Sequence, residues 1–129
     1  MRTILLVDDE PLVREVHDMM LSDMGYTVIA APDAMSALSR LREGIAIDLV
    51  ITDYRMPGMN GIEFIRALRK FDPVLPVIII TGVDIPEVDP RLGVFASLLK
   101  PVKGNILDRA IKQAIEHAEM KSLLLSVVS

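Results

Sequence analysis

Five short apolar runs recur along this chain, and between them the apolar residues switch to helical spacing. No other feature of the sequence restricts the fold as much. The runs are Thr3–Val7, Tyr26–Ala30, Asp48–Thr52, Pro76–Ile80 and Phe95–Leu99. Runs this short, rich in Val and Ile and bounded by turn residues, read as strands. After the first, Pro11 suits the opening turn of a helix, and Leu12, Val13, Val16, Met19, Met20 and Met24 follow before Gly25. Asp33 can cap a helix carrying Ala34, Ala37, Leu38 and Leu41, stopped at Gly44. Gly61–Lys70 places Ile62, Ile65 and Leu68 on one face, and Ile106, Leu107, Ala110, Ile111, Ala114, Ile115 and Ala118 keep a 3.6-residue period. The fourth crossover breaks the rule. Its "DIPEVDPRLG" contains Pro86 and Pro90. An internal proline costs a helix about 3 kcal/mol, so the fourth helix is expected to be short or broken. Continuous apolar strands alternating with helices imply an α/β fold with a parallel sheet covered on both faces.

The length of 129 residues suits one domain. With 51% hydrophobic and 25% charged residues, the chain reads as soluble and globular. The absence of cysteine excludes disulfides, thiol catalysis and Cys-based zinc sites. A net charge of −4 without a basic run argues against direct nucleic-acid binding. No apolar stretch approaches the ~20 residues of a membrane helix, and Met1-Arg2 leads into a run too short for a secretory signal. The expected location is the cytoplasm. Residues 1–121 are expected to form the domain, and the apolar 122–129 segment "SLLLSVVS" a helix end or tail.

In open parallel sheets, ligands bind outside the carboxyl ends of the strands, where the strand order reverses. At those ends this sequence places Asp8-Asp9, Thr52-Asp53, Thr81-Gly82 and Lys100-Pro101. Three carboxylates, a hydroxyl and an ammonium are thus directed to one edge. Two carboxylates ~4 Å apart repel by about 4 kcal/mol at an effective dielectric of 20, so three together call for a cation. Mg²⁺ suits a few carboxylate oxygens plus water and phosphate. Beside it, one aspartate can act as a nucleophile toward phosphorus, with lysine and threonine holding phosphate oxygens.

Four motifs, "LLVDDEP", "DLVITDYRMPGMNG", "VIIITG" and "LLKP", resemble the receiver domain of bacterial two-component response regulators, over about residues 3 to 120. The resemblance implies a flavodoxin-like (CheY-like), doubly wound five-stranded parallel sheet of order 2-1-3-4-5. It implies Asp53 as the phospho-accepting residue, with Thr81 as the switch hydroxyl and Lys100 as the phosphate-pairing lysine. For Mg²⁺ it implies Asp9 as direct ligand, Asp8 acting largely through water, Asp53, and the backbone carbonyl of Arg55. Pro101 resembles the proline that follows that lysine through a cis bond. The implied function is a phosphorelay switch that takes a phosphoryl group from a histidine kinase or histidine phosphotransfer protein and changes its binding to an output protein. Such a protein catalyses only its own phosphorylation and dephosphorylation.

The chain departs from the family in three places. Ser97 stands three residues before Lys100, where the family usually has Tyr or Phe, and strand alternation would put Phe95 on the same face one pleat back. The fourth helix carries the two prolines. Arg55 and Val83, two residues beyond Asp53 and Thr81, supply neither acid nor amide to orient water, which predicts a long-lived phosphoryl group. The family often pairs two copies through its fourth and fifth elements, so a homodimer is among the states open to this chain.

Two other functions compete. A constitutive interaction module would not need the full set Asp8, Asp9, Asp53, Thr81 and Lys100. An aspartyl-phosphate phosphatase normally carries an acid two residues beyond its nucleophile, and Arg55 is there instead. The eight methionines read as core filler, and His17 and His117 as surface or partly buried helix residues. Gly58 and Gly61 are read as sources of backbone freedom in the loop.

Overall fold

A computed structural model describes residues 2–128. The strands are β1 (Thr3–Val7), β2 (Thr27–Ala31), β3 (Leu49–Thr52), β4 (Val77–Thr81) and β5 (Val94–Leu99). The α-helices are α1 (Pro11–Asp23), α2 (Ala34–Arg42), α3 (Gly61–Arg69) and α4 (Gly104–Val128). All strand pairs are parallel, and the sheet order is 2-1-3-4-5, as expected. The inner strands β3 and β4 are buried at every position, whereas the edge strands β2 and β5 keep exposed residues. That difference follows from the topology, because only inner strands meet neighbours on both sides as well as helices on both faces.

Alternation along the strands sorts their side chains into two cores. Leu5, Val7, Val50, Val77 and Ile79 meet Ala37, Leu38, Phe64 and Leu68 from α2 and α3. Ile4, Leu6, Leu49, Ile51, Ile78 and Ile80 meet Leu21, Leu107, Ile111 and Ala114 from α1 and α4. Local chemistry fixes the helix starts. The Asp33 carboxylate accepts from Ser36 N–H at 2.7 Å. Asn60 and Glu63 form a reciprocal capping box, at 2.9 and 3.0 Å. Proline 76 opens the fourth run without an N–H, yet its carbonyl accepts from Val50 N–H at 2.9 Å, so it belongs to the sheet as acceptor only.

The fourth crossover has no α-helix. Residues 82–93 run irregularly into a single 3₁₀ turn, Pro90–Leu92, closed by Gly93 at φ +66°. Ile85, Val88 and Leu92 cover the sheet where a helix face would otherwise lie. Arg69 pins the segment: its guanidinium donates to the carbonyls of Leu92, Asp72, Leu75 and Gly93 at 2.7, 3.1, 2.6 and 3.3 Å.

One expectation needs correction. Val77 pairs with Val94 but Ile78 pairs with Ala96, so Phe95 is an inserted residue without a partner on β4. This bulge breaks the alternation. Phe95 packs toward the α4 core and meets the His117 ring at 5.7 Å between centroids, while exposed Ser97 pairs with Ile79 on the opposite face. They do not share a face. The final helix α4 is long and continues unbroken through residues 122–128, all of them exposed. Among the described residues no helix is long and apolar enough to cross a membrane.

Candidate functional site

The site lies at the carboxyl edge of the sheet, where the order reverses between β1 and β3. Parallel pairing of Val7 with Thr52 brings the next residues, Asp8 and Asp53, side by side, and Asp53 N–H donates to the Val7 carbonyl at 3.0 Å. Carboxylate oxygens of Asp8, Asp9 and Asp53 all come within 4.8 Å of one another. Asp8 is 2% exposed and Asp53 7%. Charges this buried require compensation, and Lys100 supplies part of it. Its Nζ donates to Asp53 Oδ2 at 2.9 Å and to Asp8 Oδ2 at 3.2 Å. Burial alone would depress the Lys100 pKa; the hydrogen bond to Asp53 and the charges of Asp8 and Asp53 outweigh it and hold the pKa above its ordinary value.

The other carboxylate oxygens are oriented by backbone. Asp8 Oδ1 accepts from Glu10 N–H at 3.0 Å and Asp53 Oδ1 from Tyr54 N–H at 2.7 Å. The Asp8 carbonyl accepts from Arg14 Nη1 at 2.8 Å, tying the loop to α1. One ammonium facing three carboxylates leaves the cluster short of positive charge. A hard divalent cation with oxygen preference fits that donor set, and Mg²⁺ is such an ion.

Thr81 ends β4, 3% exposed; its Oγ1 accepts from Val83 N–H at 3.4 Å and its carbonyl from Lys100 N–H at 2.8 Å. That last bond joins the ends of β4 and β5 and sets where the Lys100 side chain begins. The Lys100–Pro101 bond is cis, as the resemblance implied. Arg55 is exposed on the following loop and, with Asp9, lines an open surface cavity of about 440 Å³ that includes Tyr54, Met56, Pro57 and Asn60.

The sequence reading missed one residue of this region and mistook the reason for another. His17 is 7% exposed, so it is buried rather than a surface residue. Burial pushes its pKa below the ordinary imidazole value; the Lys100 charge acts in the same direction, and Asp8 and Asp53 oppose it. Its neighbourhood to the cluster arises because α1 folds back under the edge that it follows, and helical spacing alone did not reveal that His17 lies on the covered face. Gly61 was read correctly as special but for the wrong reason. Its φ is not positive; a Cβ there would stand 2.5 Å from the Asp53 carbonyl oxygen and 3.0 Å from Tyr54 Cα. The helix start is pressed against the strand end, with Gly61 N–H donating to the Tyr54 carbonyl at 2.7 Å. Gly58, at φ +81°, does supply backbone freedom.

Comparison with known proteins agrees with this geometry. The profile of the response regulator receiver domain matches residues 4–112. The transcriptional regulatory protein GlrR of Escherichia coli K12 is 36% identical over 118 residues, 89% of this chain and 26% of that protein. The regulator of RpoS of the same organism is 39% identical over 106 residues, 79% of this chain and 31% of that protein. The chain therefore spans about a quarter to a third of the length of these two relatives. Among solved structures, a response regulator receiver domain protein from Clostridium thermocellum aligns with TM-score 0.83 and 30% identity, covering 93% of this chain and 98% of that one. The response regulator TrrA of Thermotoga maritima, solved in complex with Mg²⁺ and BeF, aligns with TM-score 0.81 and 30% identity, covering 88% and 99%.

Proposed function

Because the chain belongs to the response regulator receiver domain family, we propose that it is a phosphorylation-controlled switch whose acceptor is Asp53. The observation that carries this reading is the convergence of Asp8, Asp9 and Asp53 on one buried edge, with Lys100 bonded to two of them. An Asp53 carboxylate oxygen attacks the phosphorus of a phosphohistidine, the N–P bond breaks, the imidazole leaves, and a mixed acyl-phosphate anhydride forms. Lys100 Nζ, held by the acids it bridges, moves its donors to a phosphoryl oxygen. Thr81 turns its hydroxyl to another. Asp8, Asp9, Asp53 and the Arg55 carbonyl would hold Mg²⁺, which supplies charge neutralisation for the three acids and the incoming phosphate.

The donor is a histidine kinase or histidine phosphotransfer protein, and the setting is the cytoplasm. The output partner lies outside this segment. The curated relatives include transcriptional regulators several times longer than the matched region, which favours an output domain or partner acting on transcription. Arg55 is exposed and Val83 half-buried, and neither offers the acid or amide that would accept from and orient an attacking water. On that basis the phosphoryl group is long-lived.

The test is intact mass after exposure to acetyl phosphate, with and without Mg²⁺, for the wild type and Asp53→Asn. Gain of one phosphoryl group in the wild type only, dependent on Mg²⁺, is the expected result. No gain in the wild type would favour the constitutive module. Gain in the Asn variant would move the acceptor elsewhere.

A further inference from the structure

At the amino end of the sheet, away from Asp53, the fold leaves another cavity, about 210 Å³ in volume. It lies between the loop before β4, the first residues of β5 and helix α4, with Val74, Pro76, Val94 and Phe95 as apolar walls. Two features leave this space open. Across from the sheet, α4 presents only alanine at 114 and 118, where larger side chains would fill the gap. On the sheet side, the bulge turns Phe95 toward α4, and its ring meets that of His117 at the cavity wall. Strand residues from Val94 to Lys100, at about 3.3 Å each, set this cavity roughly 20 Å from the acidic edge.

Charge distinguishes the cavity from a packing gap. Arg69, His117 and Lys121 line it, and among the described residues no carboxylate does. Ala114, His117, Ala118 and Lys121 are three and four residues apart, so one stripe of α4 faces the cavity, and Glu116 and Glu119 lie off that stripe. Glu119 pairs instead with Arg2. Asp72, the acid of the neighbouring loop, caps its own backbone, accepting from Val74 and Leu75 N–H at 3.1 and 2.9 Å. Among the described residues Lys121 forms no ion pair. Arg69 gives one N–H to each of the carbonyls of Leu92, Asp72, Leu75 and Gly93, which leaves one N–H on Nη2 for a further acceptor.

We propose that this cavity binds a small aromatic carboxylate, with its ring against the Phe95–His117 pair and its carboxylate on Lys121 and the remaining N–H of Arg69. A dry cavity of about 150 Å³ takes benzene, so the space here suits one ring and one carboxylate. The walls supply apolar burial and ring contacts. The cationic donors supply charge-assisted hydrogen bonds, which a neutral ring would forgo. This inference does not depend on phosphorylation of Asp53.

The probe is para-toluate, whose size sets an expected Kd of about 0.1–1 mM. Titrated to about 5 mM into the isotope-labelled full chain, it should shift the amide NMR signals of Val94, Phe95, Ala118 and Lys121 and leave those of Asp8 and Asp53 in place. Its neutral analogue para-toluamide should bind roughly tenfold more weakly, and acetate should produce no such shifts. Ala118→Leu should fill the cavity and abolish binding, with the thermal melt unchanged or raised. Lys121→Ala, at an exposed position, should weaken binding roughly tenfold without altering the melt, and Lys121→Arg should preserve it. Arg69 is left intact, because it also holds the crossover. No shifts in this range, shifts confined to other residues, equal affinity for para-toluamide, or binding indifferent to both Ala118→Leu and Lys121→Ala would each overturn the proposal.

Discussion

The edge built from the carboxyl ends of β1, β3, β4 and β5 and the crossover of residues 82–93 sit next to each other yet are built in opposite ways. At the edge, short strands run directly into functional groups, and each group is held by a backbone bond made at once: Glu10 N–H to Asp8, Tyr54 N–H to Asp53, Lys100 N–H to the Thr81 carbonyl. In the crossover no ladder or α-helix supplies such bonds, and one side chain from outside, Arg69, satisfies the carbonyls of Leu92 and Gly93 where the 3₁₀ turn runs into β5. The comparison teaches that the acidic edge rests on the sheet, whereas the face beside it is built around prolines.

The largest test of the edge is Asp53→Asn, which should eliminate phosphoryl uptake and leave folding intact, as read by intact mass and circular dichroism. Gly61→Ala should come next, costing roughly 3 kcal/mol in urea unfolding and slowing uptake, because its Cβ would meet the backbone of Asp53 and Tyr54. If uptake is unaffected, the α3 start does not position Asp53.

On the crossover side, Arg69→Met should cost about 2 kcal/mol by the same measurement, since several backbone acceptors lose a charged donor at once. Uptake from acetyl phosphate should be retained. Loss of uptake would break the separation between the two regions. The same separation is sharpened by NMR of the apo and beryllofluoride-bound forms. Residues 82–100 should not shift in the usual family manner, given that Ser97 is exposed and Phe95 is turned to the other face.

The smallest effect concerns His17. Its folded pKa lies below its ordinary value of 6.5, so the unfolded state binds the proton first as pH falls. Its contribution to stability is complete above about pH 6.5 and is lost as pH drops below it. His17→Leu should flatten the stability profile between about pH 5 and 7, with a change of about 1 kcal/mol or less at neutral pH. An unchanged profile would mean that another group carries the acid sensitivity.

The sequence by itself determined the alternation of strands and helices and which residues stand at the strand ends. Short continuous apolar runs and 3.6-residue spacing are local signals, so the five strands were placed within about a residue, as with Tyr26–Ala30 against the observed Thr27–Ala31. The resemblance implied the strand order, and local pattern placed Asp8, Asp9, Asp53, Thr81 and Lys100 at strand ends. Pro86 and Pro90 also announced the missing helix, because a proline's effect on its own backbone is independent of context.

Tertiary structure decided what depends on partners far along the chain. The bulge that turns Phe95 away from Ser97 is a register choice between β4 and β5 and leaves no local mark. The contact that forbids a side chain at Gly61 comes from the backbone of Asp53 and Tyr54, where the loop leaves β3 and folds back on itself. His17 is covered only because α1 docks on a sheet assembled from distant segments. The bonds from Lys100 to Asp8 and Asp53 span 92 and 47 residues. No local propensity encodes such distances; they exist only once the parallel ladder sets the strand ends level.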